Sequence, residues 1–156
     1  MIANTVARPR PSAGFTLVEL MAVVLIASIL LSIAIPLYMQ QVRHGRRTDA
    51  KTAVMDLAGR EERMFSTTNA YSADPTQLGY AAVGSGATFP QIVGSGYYNI
   101  NVTVPALAPT TYIITATAIT ADQLKDGSCF SFSVTQTGQQ SSLSSGGANT
   151  TNTCWQ

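Results

Sequence analysis

The stretch that decides the fold is Gly14-Phe15-Thr16-Leu17-Val18-Glu19-Leu20, because it opens a long hydrophobic run. No side chain from Leu20 to Val42 is charged. About 20 apolar residues at roughly 1.5 Å each cross the hydrocarbon core of a bilayer. The run therefore predicts a membrane-spanning helix, and Glu19 is the one carboxylate at its start.

Glu19 needs a partner if it enters the membrane. An ionised side chain at the centre of a membrane helix costs about 2.5–3.5 kcal/mol, and less near the interface. A cut between Gly14 and Phe15 would create a free amine four residues before Glu19, on the same face of the helix. That spacing would let Glu19 meet the new amine of a neighbouring copy when two such helices pack side by side.

The same residues resemble the type IV prepilin cleavage and N-methylation motif, and Pro36 follows where the helix of that family usually bends. The resemblance implies that a membrane prepilin peptidase cuts after Gly14 and methylates the new N-terminal Phe15. It also implies that Glu19 helps the subunit enter a helical filament. Residues 1–14 would then be a leader, longer than in many relatives, which we interpret as a length variant.

Later segments are similar to the minor pilins of the PilE kind. They are Arg47-Thr48-Asp49-Ala50, Gly59-Arg60-Glu61-Glu62-Arg63-Met64, Asn69-Ala70-Tyr71, Gly96-Tyr97-Tyr98, Thr111-Tyr112 and the closing Cys154-Trp155. The resemblance therefore covers nearly the whole chain after the leader.

An ordinary secretory signal is the alternative for the N-terminal run. Its apolar core is normally about 7–15 residues, and the one small-x-small site here, Ser32-Ile33-Ala34, sits just before Pro36. Basic residues lie on both sides of the span, so their distribution does not orient it. The resemblance to prepilins instead places residues 1–14 in the cytoplasm and the later chain outside the inner membrane.

Cys129 and Cys154 are the only cysteines, so one intramolecular pairing is possible. In an oxidising compartment they would close a disulfide, and in a reducing one they would remain two thiols. A zinc site needs more ligands than two cysteines and the single distant His44. The resemblance favours the disulfide, because the last loop of these exported heads is usually closed in this way.

Composition favours an extracellular head. The chain has 156 residues, of which 11% are charged, and after Phe65 the only charged side chains are Asp74, Asp122, Lys125 and Asp126. The remaining surface is polar but nearly uncharged. The length allows one domain besides the membrane anchor.

The helical pattern continues beyond Pro36 with an amphipathic half. We predict one helix over about 16 to 66, with a break or kink at Pro36 and a second near Gly45. The expected organisation is a leader at 1–14, an anchor and filament-core helix at 15–42, and a head at 43–156. Within the head we predict a loop over 67–96.

Alternation of apolar and polar residues predicts strands over 97–104, 111–120 and 128–135, and a short fourth strand near 139–143. One long helix followed by a loop and three to four strands favours an α+β fold with an antiparallel sheet over 97–156.

No catalytic constellation is visible, so neither enzyme function nor a cofactor or metal is expected. Glu61 and Glu62 could suggest paired carboxylates, but with Arg60 and Arg63 beside them they are interpreted as a solvated helix face. The glycines at 84, 86, 94 and 96 form no phosphate-binding motif.

Arg43, Arg46, Arg47 and Lys51 form the one basic cluster. Such a cluster would supply the sequence-independent part of DNA binding. Because it lies just outside the span, we instead expect contacts with lipid headgroups before assembly and with acidic side chains of neighbours afterwards.

The expected function is that of a structural subunit, a minor pilin by resemblance, in an extracellular type IV pilus serving adhesion, twitching motility or DNA uptake. The implied partners are other pilins, prepilin peptidase, the inner-membrane assembly machinery and the inner membrane itself, and nucleic acid is not expected. A type II secretion pseudopilin and a DNA-receptor pilin of a competence system are the alternatives.

Overall fold

The computed structural model describes residues 14–80, 87–107 and 109–156. Most of the expected leader, residues 1–13, and residues 81–86 of the expected loop lie outside these described residues.

Helix α1 spans Leu17–Thr68 without interruption. It begins at Leu17 because the hydroxyl of Thr16 accepts a hydrogen bond from the backbone N–H of Glu19 at 3.2 Å, which caps the first turn. It ends where Asn69 adopts a positive φ of 56° and its N–H bonds to the carbonyl of Phe65 at 2.8 Å. The predicted helix of about 16 to 66 is confirmed, but the helix breaks neither at Pro36 nor at Gly45.

The chain forms two compact units, residues up to Tyr38 and Met39–Gln156. In the first unit the large apolar side chains are more than half exposed. Among the described residues, α1 is the one helix long and apolar enough to cross a membrane, judged by length and composition.

The second unit packs the later half of α1 on a five-stranded antiparallel sheet with the order β1-β2-β3-β4-β5. The strands are β1 Gln91–Val93, β2 Tyr98–Thr103, β3 Ile113–Ala118, β4 Ser131–Thr135 and β5 Gln140–Leu143. Ala50, Val54 and Leu57 recur at helical spacing and are fully buried against the inner faces of the strands. The core side chains from the sheet include Tyr98, Ile100, Ile114, Ala116, Phe132 and Val134.

The predicted α+β fold is confirmed, with one strand more than expected. The predicted loop over 67–96 was wrong at its end, because β1 occupies Gln91–Val93 and pairs with β2 through Val93 opposite Tyr98. A three-residue strand carries too few positions to show alternation, so the pattern did not reveal it.

The end of the chain is fastened to the sheet. A disulfide joins Cys129 to Cys154, which lies in the short helix α2, Thr151–Cys154. The next residue, Trp155, packs edge-on against Phe132 and donates its indole N–H to the carbonyl of Ser141 at 2.8 Å.

Candidate functional site

The bond expected to be cut lies on open surface. Phe15 is 83% exposed and precedes the first helical residue. A Cβ placed on Gly14 would meet no atom within 4 Å. A larger side chain at Gly14 would therefore fit the chain itself, so any need for glycine here would come from the peptidase.

Glu19 stands in the first turn of α1 and is exposed. Its backbone N–H is held by Thr16, as in a Thr-x-x-Glu helix start, which is a signal that our sequence reasoning did not use. In the described part of the chain the Glu19 carboxylate has no hydrogen-bond or ion-pair partner. It is therefore available to a group from another molecule.

The basic cluster has partners within its own chain. Arg43 and Arg46 both contact the carboxylate of Asp122, with Arg43 Nη1 3.3 Å from Oδ1. The guanidinium of Arg46 also lies over the ring of Tyr97, 3.7 Å from its centroid. The hydrogen bond from Arg46 holds the pKa of Asp122 below its usual range.

Arg47 makes a two-pronged ion pair with Asp126. Its Nε and Nη2 atoms donate to the two carboxylate oxygens at 2.7 and 2.8 Å. Lys51 donates to the carbonyl of Gln156 at 3.0 Å. We expected this cluster to contact lipid or neighbouring subunits. The bonds within the chain were not predicted, because residues about 80 positions apart in sequence gave no sign of their proximity.

Glu61 does not lie on a solvated face as predicted. It is fully buried, its Oε2 atom accepts the backbone N–H of Ser72 at 3.1 Å, and its Oε1 atom has no partner among the described residues. Burial raises its pKa to about 7. Glu62 is exposed, but it accepts hydrogen bonds from the hydroxyls of Tyr71 and Tyr112 at 3.0 and 3.3 Å.

The outward face of the sheet carries no charge in β2 to β5. In β2, β3 and β4 the buried apolar residues recur at every second position, and the outward positions of β2 to β5 that are not buried carry polar amides and hydroxyls with a few apolar side chains. They are Asn99, Asn101, Thr103, Ile113, Thr115, Thr117, Ser133, Thr135, Ser141 and Leu143. Among the described residues of the head, only Arg63 and Lys125 are cations without a partner.

Among the described residues no group of three or more His, Cys, Asp or Glu side chains could hold a metal ion. His44 is exposed beside Arg43 and Arg47 in a shallow cleft, and no nucleophile or carboxylate triad involves it.

Comparison with known proteins points to one family. A family model described as "Type IV minor pilin ComP, DNA uptake sequence receptor" matches residues 36–133, and a model of the prokaryotic N-terminal methylation motif matches residues 9–35. The chain is 38% identical over 68 residues to the type IV major pilin protein PilA of Myxococcus xanthus (strain DK1622). That alignment covers 44% of this chain and 31% of PilA, so the match spans about a third of the relative's length. Because the minor-pilin model covers more than half of the chain and the methylation motif precedes it, the protein belongs to the type IV pilin family.

Proposed function

We propose that the protein is a subunit of an extracellular type IV pilus, of the minor-pilin kind. Residues 1–14 are a leader removed by prepilin peptidase, and Phe15 becomes the N-methylated terminus. Residues 15–42 anchor the precursor in the inner membrane and later enter the filament core, and residues 43–156 form the head. The observation that carries this proposal is the exposed apolar helix that begins within the residues matched by the methylation-motif model.

Assembly moves the apolar part of α1 from the lipid of the membrane to the neighbouring helices of the filament core. The side chains from Leu17 to Tyr38 are exposed in the isolated chain, so they need lipid in the membrane and neighbouring helices in the filament. The inner-membrane assembly machinery moves the subunit between the two. Among the described residues Glu19 has no partner, and the amine of Phe15 on a neighbouring subunit would supply one and set the axial position.

Intact mass spectrometry of sheared surface filaments tests the proposal. We expect a mass that begins at N-methylated Phe15 and is two hydrogens short for the Cys129–Cys154 disulfide. Trace abundance supports a minor pilin, whereas a dominant mass would make the chain the main subunit. A processed form that stays in the membrane and is missing from filaments would contradict a pilus role and favour a type II secretion pseudopilin.

Replacement of Glu19 by alanine separates processing from assembly. Glu19→Ala keeps the backbone N–H that Thr16 accepts, so the helix start and cleavage should persist while incorporation into filaments falls. Ser28→Ala is the matched control, because it removes another polar side chain of the same helix whose hydroxyl is already bonded to the carbonyl of Val24. Normal incorporation of Glu19→Ala would contradict the assembly role.

DNA reception is the second candidate, because the matching family model describes a DNA uptake sequence receptor. The contacts of this chain weigh against it, since Arg43, Arg46 and Arg47 are paired with carboxylates. We expect the full chain in lipid nanodiscs to show no salt-sensitive affinity for duplex DNA. Affinity that falls steeply with salt would restore the DNA-receptor function.

A further inference from the structure

A cavity of about 460 Å³ opens at the edge of the uncharged sheet face. It lies where β2 ends, where β3 begins and where the turn between β4 and β5 folds over. This volume is within the range of small-molecule sites in proteins. Tyr112 lines it and bonds to Glu62 in the last turns of α1, so the cavity is about 29 Å along the helix from Arg43.

The cavity has one apolar side and one polar side. Pro105 and the half-exposed Ile113 supply apolar surface from the loop after β2 and from β3. Gln136, Thr137 and Gln139 supply amides and a hydroxyl from the turn after β4.

Some of these polar groups are already engaged and others are free. The Gln136 side chain accepts the backbone N–H of Tyr112 at 3.4 Å, and the hydroxyl of Thr137 bonds to that of Thr135 at 2.9 Å. Within the described ranges the hydroxyl of Thr103 and the amide of Gln139 have no partner. Both can therefore bond to a ligand without breaking a bond of the fold.

The charges around the cavity disfavour anionic ligands. No described residue that lines the cavity is charged, and the acidic residue Glu62 lies behind Tyr112. A phosphate or carboxylate in the cavity would lose water and gain no cation, so a polyanion is disfavoured. A sugar ring instead presents neutral hydroxyls at its edge and C–H groups on its faces, which matches the two sides of the cavity.

We propose that this cavity binds a neutral saccharide through Thr103, Gln139 and the apolar surface of Ile113. The ring would rest a C–H face on Ile113 and exchange hydrogen bonds with the two free side chains. The proposal goes beyond the pilus role and does not depend on filament assembly.

The test uses the full chain in lipid nanodiscs, so that no sugar detergent competes for the site. Cellohexaose, maltohexaose and the hexamer of N-acetylglucosamine are the neutral probes, and hexagalacturonate and duplex DNA are the anionic ones. We expect at least one neutral probe to bind and to shift the methyl resonance of Ile113, and we expect no binding of either anion. Thr103→Val and Gln139→Ala should each weaken binding about two- to tenfold, as loss of one neutral hydrogen bond does.

Thr117→Val is the matched control, since Thr117 lies on the same outward face but outside the cavity. Its affinity should equal that of the native chain. Absence of binding by all three neutral probes would overturn the proposal, as would unchanged affinity in Thr103→Val and Gln139→Ala. Tighter binding of DNA or hexagalacturonate would overturn it as well. Because the isolated chain is used, none of these outcomes bears on filament assembly.

Discussion

Glu61 is fully buried, with one carboxylate oxygen bonded to the backbone of Ser72 and the other without a partner. The ionised form loses its hydration there, which is why its pKa rises to about 7 from a value near 4.5. The titratable groups that face it are Glu62 on its own helix, Tyr71 on the following segment and Tyr112 before β3. None of these three groups is a cation, and the hydrogen bond from the backbone N–H of Ser72 favours the charged form less than burial disfavours it.

The raised pKa of Glu61 makes the stability of the head depend on pH. The folded head binds the proton more tightly than the unfolded chain, so the stabilisation is fully present below pH 4.5 and is lost as pH rises through about 7. We predict that Glu61→Gln, a neutral isostere, flattens this fall and makes the head more stable than the native head above that window. Denaturant unfolding followed by the fluorescence of Trp155, the chain's single tryptophan, measures it.

Glu62→Gln is the control for that prediction. Its amide oxygen can still accept the hydroxyls of Tyr71 and Tyr112, and the pH dependence from Glu61 should persist. Unfolding free energies of Glu61→Gln and native chain that run parallel across the window would contradict the assignment.

A local motif singled out the N-terminal residues, whereas no local pattern indicated the burial of Glu61. Gly14, Phe15 and Glu19 belong to a motif that is local in sequence, and the methylation model matches the same region. Glu61 adjoins Glu62 between two arginines, which is the pattern of a solvated face. Its burial depends on Ser72, a tertiary neighbour that no local pattern specifies.

At the level of elements, three ion pairs, two to Asp122 and one to Asp126, fasten the segment after β3 to α1. Arg47 and Asp126 are both well buried and joined by two hydrogen bonds, whereas Asp122 is more exposed. Gln123, the fully buried residue in the 3-10 helix between them, donates to the hydroxyl of Tyr98 at 2.9 Å. This segment leads directly to Cys129, so its position also fixes the disulfide.

We predict that Asp126→Asn lowers the free energy of unfolding of the head by about 1.5–3 kcal/mol, since it weakens hydrogen bonds to a charged group that water hardly reaches. Asp122→Asn, the matched change at the other carboxylate, should cost less, because solvent screens exposed ion pairs. Unfolding of both variants by denaturant measures the difference. Equal losses of unfolding free energy in the two variants would show that burial does not set how much each carboxylate stabilises the head.

Alternation predicted β2, β3 and β4, whose buried apolar side chains recur at every second position, and a short strand near 139–143 was predicted where β5 lies. Strand β1 and helix α2 were missed because three and four residues are too short to show a period. The uninterrupted helix at Pro36 shows that a proline can remain inside a long apolar helix. The ion pairs with Asp122 and Asp126 could not be predicted without the fold, since they join residues 76 to 79 positions apart.

At the scale of the whole molecule, the two units of the chain depend on different surroundings for their stability. The apolar side chains before Tyr38 are exposed in the chain by itself, so lipid or neighbouring helices must cover them. The second unit, Met39–Gln156, which contains the head, has its own buried core and a disulfide. Variants such as Asp126→Asn and Glu61→Gln should therefore alter unfolding of the head and leave membrane insertion unchanged.

The two edge strands of the sheet affect whether many copies of this head can be packed closely without aggregating. Strand β5 is not left open, because Asn149 bridges to Leu143 and the N–H of Thr150 bonds to the carbonyl of Ser142. Strand β1, at the opposite border, is only three residues long. Long unpaired strand edges invite pairing with another chain and aggregation, and short or covered edges prevent it. Many copies of this head could therefore stand at high local concentration without fusing their sheets into amyloid-like ribbons.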